Sequence, residues 1–228
     1  MGEQVEMLSS HEAAYLAGVN EREIHRAIDE DLVPKDLVRL NGGRRAFTPA
    51  ASVMIAFYVD HKDRLTGKER RRVIDNVAHR VSTELLDANL SMDPSTSSLT
   101  DLSVEDPDNN LKLVGPYIDR VRGRLDRLKK ARDLVHSSSE ILSGTPVIRG
   151  TRVPVHSVAG TYGDEGAEGA LKAYPNLDKD TVELAKLYAD THPPRGRPKA
   201  HSVPEGATVV RTRRRKRSDG KSGAAGLA

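Results

Sequence analysis

Apolar positions recur at spacings of three and four in short blocks, and glycine, proline or an N-capping side chain separates each block from the next. Ser9 or Ser10 caps a first helix, His11–Ala17, with Ala13, Ala14 and Leu16 apolar. Gly18-Val19 turns the chain, and Asn20 caps a second helix, Glu21–Glu30, whose Ile24, Ala27 and Ile28 share one face. After Pro34 the period changes. Leu37–Leu40 and Arg44–Phe47 alternate around Asn41-Gly42-Gly43, which predicts a hairpin. Thr48-Pro49 then opens a third helix to about Arg64, because proline suits a first helical turn. Helix, glycine turn, capped helix, hairpin and helix is the order of a winged helix-turn-helix.

Thr66–Leu86 reads as a long helix with Val73, Val77, Val81 and Leu85 in line. Residues 91–110 lose all periodicity and carry five acids (Asp93, Asp101, Glu105, Asp106, Asp108) with no base. That composition predicts a solvated linker and not a Mg²⁺ site, which needs a folded scaffold to fix its carboxylates. From Pro116 to Val135 the helical period returns through Ile118, Val121, Leu125, Leu128 and Val135, with one gap at Arg132. The seam suits packing on its own domain or on a second chain, and the bases around it read as a solvated face.

In the C-terminal third, two β-branched runs, Pro146–Arg149 and Arg152–Val155, flank Gly150-Thr151. Glycine first in a two-residue loop predicts a type II′ hairpin, and Pro154 marks its strand as an edge. Helices follow at Val155–Tyr162, at Glu165–Tyr174 after Gly163-Asp164, and from a cap at Asp178 or Asp180 through Val182, Leu184, Ala185, Leu187 and Tyr188. The last of these sets Lys179 and Lys186 against Asp178, Asp180 and Glu183, a poor balance for meeting phosphates.

The expected fold class is therefore mainly α: an N-terminal winged helix-turn-helix, central helices, a C-terminal β-hairpin plus three helices, and a basic tail. The expected segments are a winged-helix DNA-binding domain at 1–64, a helical extension at 65–90, and an acidic linker at 91–110. A basic amphipathic helix at 111–135, a helix-turn-helix-like domain at 136–192 and a basic disordered tail at 193–228 complete the chain.

Composition narrows the function. The 228 residues include no cysteine, which excludes disulfides and thiolate zinc sites. No apolar run approaches the length of a membrane span and no signal-peptide core opens the chain, so a soluble cytoplasmic protein is expected. The net charge of +3 hides an asymmetry: ten Lys or Arg face only Glu205 and Asp219 beyond His192. Such a tail either confers solubility or acts as a cationic arm for nucleic acid or an acidic protein cleft. Nothing supports catalysis, a metal site or a cofactor. The eight histidines form no paired zinc motif, phosphate-loop and nucleophile-elbow patterns are missing, and His156 beside Ser157 suits a helix start better than a dyad.

Two resemblances add to this reading. Residues 7–64 resemble the MerR and excisionase DNA-binding family. Gly144–Val155, Tyr174-Pro175 and Ala185–Ala189 resemble a small helix-turn-helix domain of unknown function, over roughly 136–198. In bacteria that domain commonly sits beside PIN-domain ribonucleases, as the antitoxin half of VapBC-type pairs, and the layout is similar to longer VapB-type antitoxins. The resemblance implies a PIN-domain toxin as partner, operator DNA as ligand and a homodimer.

Asn20, Arg22, His25 and Arg26 on the second helix, with Arg39, Asn41, Arg44 and Arg45 on the wing, are the expected DNA-binding residues. VapB-type antitoxins commonly place Arg or Lys in the acidic toxin site. The resemblance therefore implies Arg195 and Arg197, or Arg211, Arg213, Arg214 and Arg215, as toxin-binding residues. The alternative function is a free-standing winged-helix transcriptional regulator whose C-terminal domain dimerises or senses.

Overall fold

The computed structural model describes residues 6–80, 86–87, 90 and 115–194. Among them are seven α-helices and two small antiparallel sheets, so the protein is mainly α. The proposed linker at 91–110, Val81, Leu85 and the tail arginines lie outside the described residues. The described residues belong to the unit Met1–Pro194.

Helix α1 (Ser10–Ala17) begins at Ser9, which settles the choice between the two serines. Ser9 Oγ accepts the Glu12 N–H, and Glu12 Oε2 accepts the Ser9 N–H at 2.8 Å, a reciprocal capping box. The helix stops at Gly18, whose φ of 75° is left-handed. There Arg124 Nη1 donates to the last-turn carbonyls of Tyr15 and Leu16, at 3.2 and 3.1 Å. A Cβ on residue 18 would stand 2.3 Å from that nitrogen and could displace the flexible guanidinium, so it is the left-handed backbone that demands glycine. Helix α2 (Glu21–Asp29) repeats the capping box with Asn20 and Glu23.

Strands β1 (Val38–Asn41) and β2 (Arg44–Phe47) pair from Val38↔Phe47 to Asn41↔Arg44. Gly42 and Gly43 alone connect them, both at positive φ (55° and 78°), as a type I′ turn requires. Leu8 adds a short rung outside the hairpin by exchanging two backbone hydrogen bonds with Phe47, 2.8 and 2.9 Å. Thr48 caps α3 (Pro49–Asp60), which ends before the expected Arg64 and is buried from Pro49 through Phe57. Helix α4 (Gly67–Arg80) buries Val73 and Val77, and also Ile74. Asp87 then reaches back to the first turn of α3, where its Oδ1 accepts the Ala50 N–H at 2.7 Å.

Helix α5 (Gly115–Leu134) uses its seam twice. Ile118, Val121, Leu125 and Leu128 join the main apolar cluster with Leu16, Ile24, Phe47 and Ile55. One turn on, Ala131 packs with Leu184 and Leu187 of the last helix. The segments at 6–64 and 136–192 therefore share α5 as a wall. Its bases are largely partnered and not simply solvated: Arg120 pairs with Asp60, Arg127 with Glu183, and Arg132 with Glu6 and Glu12. The gap in the apolar pattern at Arg132 is thus an ion-pairing position.

The C-terminal hairpin differs from expectation in its turn. Thr151 N–H donates to the Ile148 carbonyl at 3.0 Å, which centres the turn on Arg149-Gly150 instead of Gly150-Thr151. Gly150, at φ 76°, occupies the third position, as in a type II turn. The returning chain is held by Ile148 N–H to Val153 O and Val155 N–H to Pro146 O, both 3.0 Å. Val147 bridges Pro154 across this hairpin, and β4 (Val147–Ile148) also pairs with β3 (Val135–His136), a strand hidden at the end of the α5 pattern. Helix α6 (Val155–Ala173) runs through Gly163-Asp164 and breaks its geometry at Gly166 (φ 74°, ψ −173°). Asp178 caps α7 (Lys179–Thr191) by accepting the Thr181 N–H at 2.7 Å.

Candidate nucleic-acid interface

Helix α2 buries Ile24 and Ala27, and at 100° per residue this turns Arg22, Arg26 and Asp29 toward solvent. Asn20 is exposed, but both its backbone and its side chain are engaged in the capping box with Glu23. His25 lies 3.5 Å from Glu21, and Arg26 reaches Glu30 at 2.5 Å. An exposed ion pair of this kind is worth little, so a phosphate can compete for Arg26. Arg22 is exposed.

On the wing, Arg39, Asn41 and Arg44 are exposed around the diglycine turn. Arg45 points the other way and pairs with Asp29 at the end of α2, 2.8 Å away. It braces the wing against α2. Of the eight expected residues, six are exposed, His25 and Arg45 are half-buried, and Arg45 is paired with Asp29.

A second basic surface was missed in the sequence. Residues 62–72 hold Lys62, Arg64, Lys68, Arg70, Arg71 and Arg72 against Asp63 and Glu69. Their density was legible, but the glycine and capping threonine there spoke first for a helix start. Arg70 lies over the Tyr58 ring at 3.8 Å and donates to the Tyr58 carbonyl at 2.6 Å, which fixes its guanidinium. Glu23, Arg26, Lys62 and Arg70 line a small recess of about 180 Å³ beside α2. Arg71 anchors the corner by pairing with Asp31.

The C-terminal helix offers no comparable face. Lys186 pairs with Asp190, and Glu183 is taken by Arg127 at 2.6 Å. The His156 ring sits 6.4 Å from that of Tyr188, a packing role, and burial followed by the nearby His192 pushes its pKa below the usual value. Among the described residues, no cluster of three or more His, Asp or Glu is arranged to hold a metal ion.

A charge network joins this C-terminal end to α1. Glu12, 4% exposed, receives Arg132 Nη2 at 2.6 Å and Nε at 2.9 Å, and His192 Nε2 lies 3.1 Å from the same oxygen. Burial pushes the Glu12 pKa up, but hydrogen bonds from His192 and the Ser9 N–H, with the Arg132 charge, outweigh it and hold the value at about 2. The His192 ring also stacks on Tyr188 at 4.3 Å. Asp87 shows the opposite balance. Burial raises its pKa to about 6 despite the Ala50 and Thr48 hydrogen bonds.

This geometry defines the class: a winged helix-turn-helix continuous with a compact hairpin-and-helix domain. Residues 135–189 match the family described as Protein of unknown function (DUF433). The chain is also 38% identical over 211 residues, 92% of each protein, to "Uncharacterized protein y4eO" of Sinorhizobium fredii (strain NBRC 101917 / NGR234), and it belongs to the family of that protein. No solved structure matches the chain. The DUF433 match ends at residue 189, short of the expected 198, so Arg195 and Arg197 fall outside it. No helix among the described residues is long and apolar enough to cross a membrane.

Proposed function

We propose that the protein is a non-catalytic, cytoplasmic DNA-binding antitoxin of the VapB type, which neutralises a PIN-domain ribonuclease and represses its own operon. The observations that carry the DNA-binding part are these: Arg22 and Arg26 are exposed on α2, Arg39 and Arg44 are exposed on the wing that Arg45 ties to α2, and Arg26 shares a recess with Glu23, Lys62 and Arg70. A helix in the major groove needs cations on both sides to meet the two phosphate strands, while its own exposed side chains read base edges. Operator DNA and a second copy of the chain are the partners of this reading.

The antitoxin part rests on the resemblance of the C-terminal domain and on the charge of the chain beyond His192. Arginine competes well with a metal for clustered carboxylates because its planar fork pairs bidentately. Deleting the residues after His192 tests it. Loss of toxin neutralisation with DNA binding retained is expected, and full neutralisation by the truncated protein contradicts the tail mechanism. A PIN-like reading frame beside the gene is expected as well.

The alternative, a free-standing regulator with a sensing domain, has one feature in its favour. An open cleft of about 590 Å³ lies between α1 and α7, with Tyr15, Arg127, Tyr162 and Lys186 on its walls. Its charges are already paired with one another, which weakens it as a site for an ionic effector.

A further inference from the structure

Leu40 is 77% exposed, the most exposed of the large apolar side chains among the described residues. A lone exposed leucine is ordinary, so its surroundings must carry the argument. The other such residue, Leu142, is 50% exposed and sits in a stretch, 135–148, without a Lys or Arg. Leu40 instead has Arg45 as its cross-strand partner, with Arg39 and Arg44 on the opposite side of the same hairpin, and stands one residue from the wing turn.

Strand alternation fixes which way it faces. Val38 and Leu40 share a side of β1, and their cross-strand partners are Phe47 and Arg45. Phe47 is fully buried, so this is the core-facing side of the hairpin. Beyond the core the same side continues as Leu40 and Arg45, and Arg45 reaches Asp29 of α2. Leu40 therefore lies on the inner side of the wing, uncovered, toward the exposed face of α2. The tip beyond it offers no obstruction: a Cβ on Gly42 or Gly43 would meet nothing within 4 Å.

We propose that Leu40 is an apolar wedge for the minor groove of duplex DNA, packing against the sugar walls and partly unstacking a base step there while Arg39 and Arg44 hold the flanking phosphates. This rests on the DNA-binding reading given above and adds to it an apolar, deforming contact. The chemistry is complementary. Minor-groove binders insert leucine or similar side chains between base steps and bend the duplex, with cations alongside. Flexible pyrimidine–purine steps yield most easily, and A·T pairs lack the guanine amine that blocks the groove floor. The wing then contributes specificity through deformability.

The test uses the full chain and short duplexes selected by the protein itself from a random pool, labelled at both ends for energy transfer. Leu40→Ala is expected to weaken binding about tenfold, since it removes the buried apolar contact. It should also reduce the bend while leaving the salt slope unchanged, because no phosphate contact is lost. Leu40→Met, which keeps apolar reach, should retain both affinity and bend. Wild-type protein that binds the selected duplexes with Leu40→Ala equal to it in affinity and bend overturns the wedge alone. So does a Leu40→Ala effect confined to self-association. Wild-type protein that enriches no duplex from the pool fails the DNA-binding reading itself, and the wedge with it.

Discussion

The two ends of the described chain are both built from capped helices and a short hairpin, yet they spend their charge differently. In the N-terminal region, Arg22, Arg39 and Arg44 stay exposed, and Arg26 is held only by an exposed neighbour on its own helix. In the C-terminal region, Lys186 and the facing Arg127 are matched to Asp190 and Glu183, and Arg132 and His192 converge on a buried carboxylate. Similar local architecture therefore does not imply a similar surface. Arg22, Arg39 and Arg44 stay uncovered in one region, while in the other Arg127, Arg132 and His192 tie helices together and Arg152, Lys172 and Lys179 remain exposed.

The cores differ as well, and the largest expected effect breaks the comparison there. The N-terminal cluster is anchored by Phe47 at 0% exposure, whereas the C-terminal one is built from Ile148, Val155, Val158, Ala170, Val182 and Ala185. Phe47→Ala should cost about 3–5 kcal/mol in denaturant unfolding, against roughly 2 kcal/mol for Val182→Ala. Equal losses would mean that the two clusters carry equal weight.

Acid should act with opposite sign on the two buried carboxylates. Glu12, at about 2 in the folded chain against 4.5, contributes stability that is complete above pH 4.5 and is lost as pH falls toward 2. The loss is on the order of 3 kcal/mol, and Glu12→Gln should flatten it. Asp87, raised from 3.8 to about 6, costs stability above pH 6 and returns it as pH falls toward 3.8. Asp87→Asn keeps an acceptor for Ala50 and should remove that rise. Unfolding curves for both variants between pH 2 and 7 check the signs. A wild-type profile unchanged by either substitution contradicts both assignments. The smallest effect belongs to the surface of α7: Lys186→Ala should shift stability by no more than about 0.5 kcal/mol, because an exposed i,i+4 pair contributes little.

Much of this was legible from local signals. Ser9, Asn20 and Asp178 announce their helices because a capping side chain acts within three residues of itself, and Gly42-Gly43 announces the wing for the same reason. The errors arose where several local solutions compete or where the partner is distant. Gly150 suits either a II′ or a type II turn, and the hydrogen bond from Thr151 to Ile148 decides between them. Val135 satisfies a helical period yet pairs as a strand with Ile148. Arg132 looked like a defect in an apolar seam because its partner, Glu12, is 120 residues away. Of the interface, the exposed residues on α2 and the wing were readable, but the Arg45–Asp29 brace and the Arg70–Tyr58 stack depend on folding.

The central claim is that DNA is met by α2 and the wing, and not by α7. It is tested most directly by the salt dependence of binding to one selected duplex, measured for the wild type, Arg39→Ala/Arg44→Ala and Lys179→Ala/Lys186→Ala. The account predicts that the wing pair reduces the slope of log K against log salt by about two units, one for each phosphate contact removed, and that the α7 pair leaves it unchanged. A slope untouched by the wing pair, or reduced by the α7 pair, would contradict it.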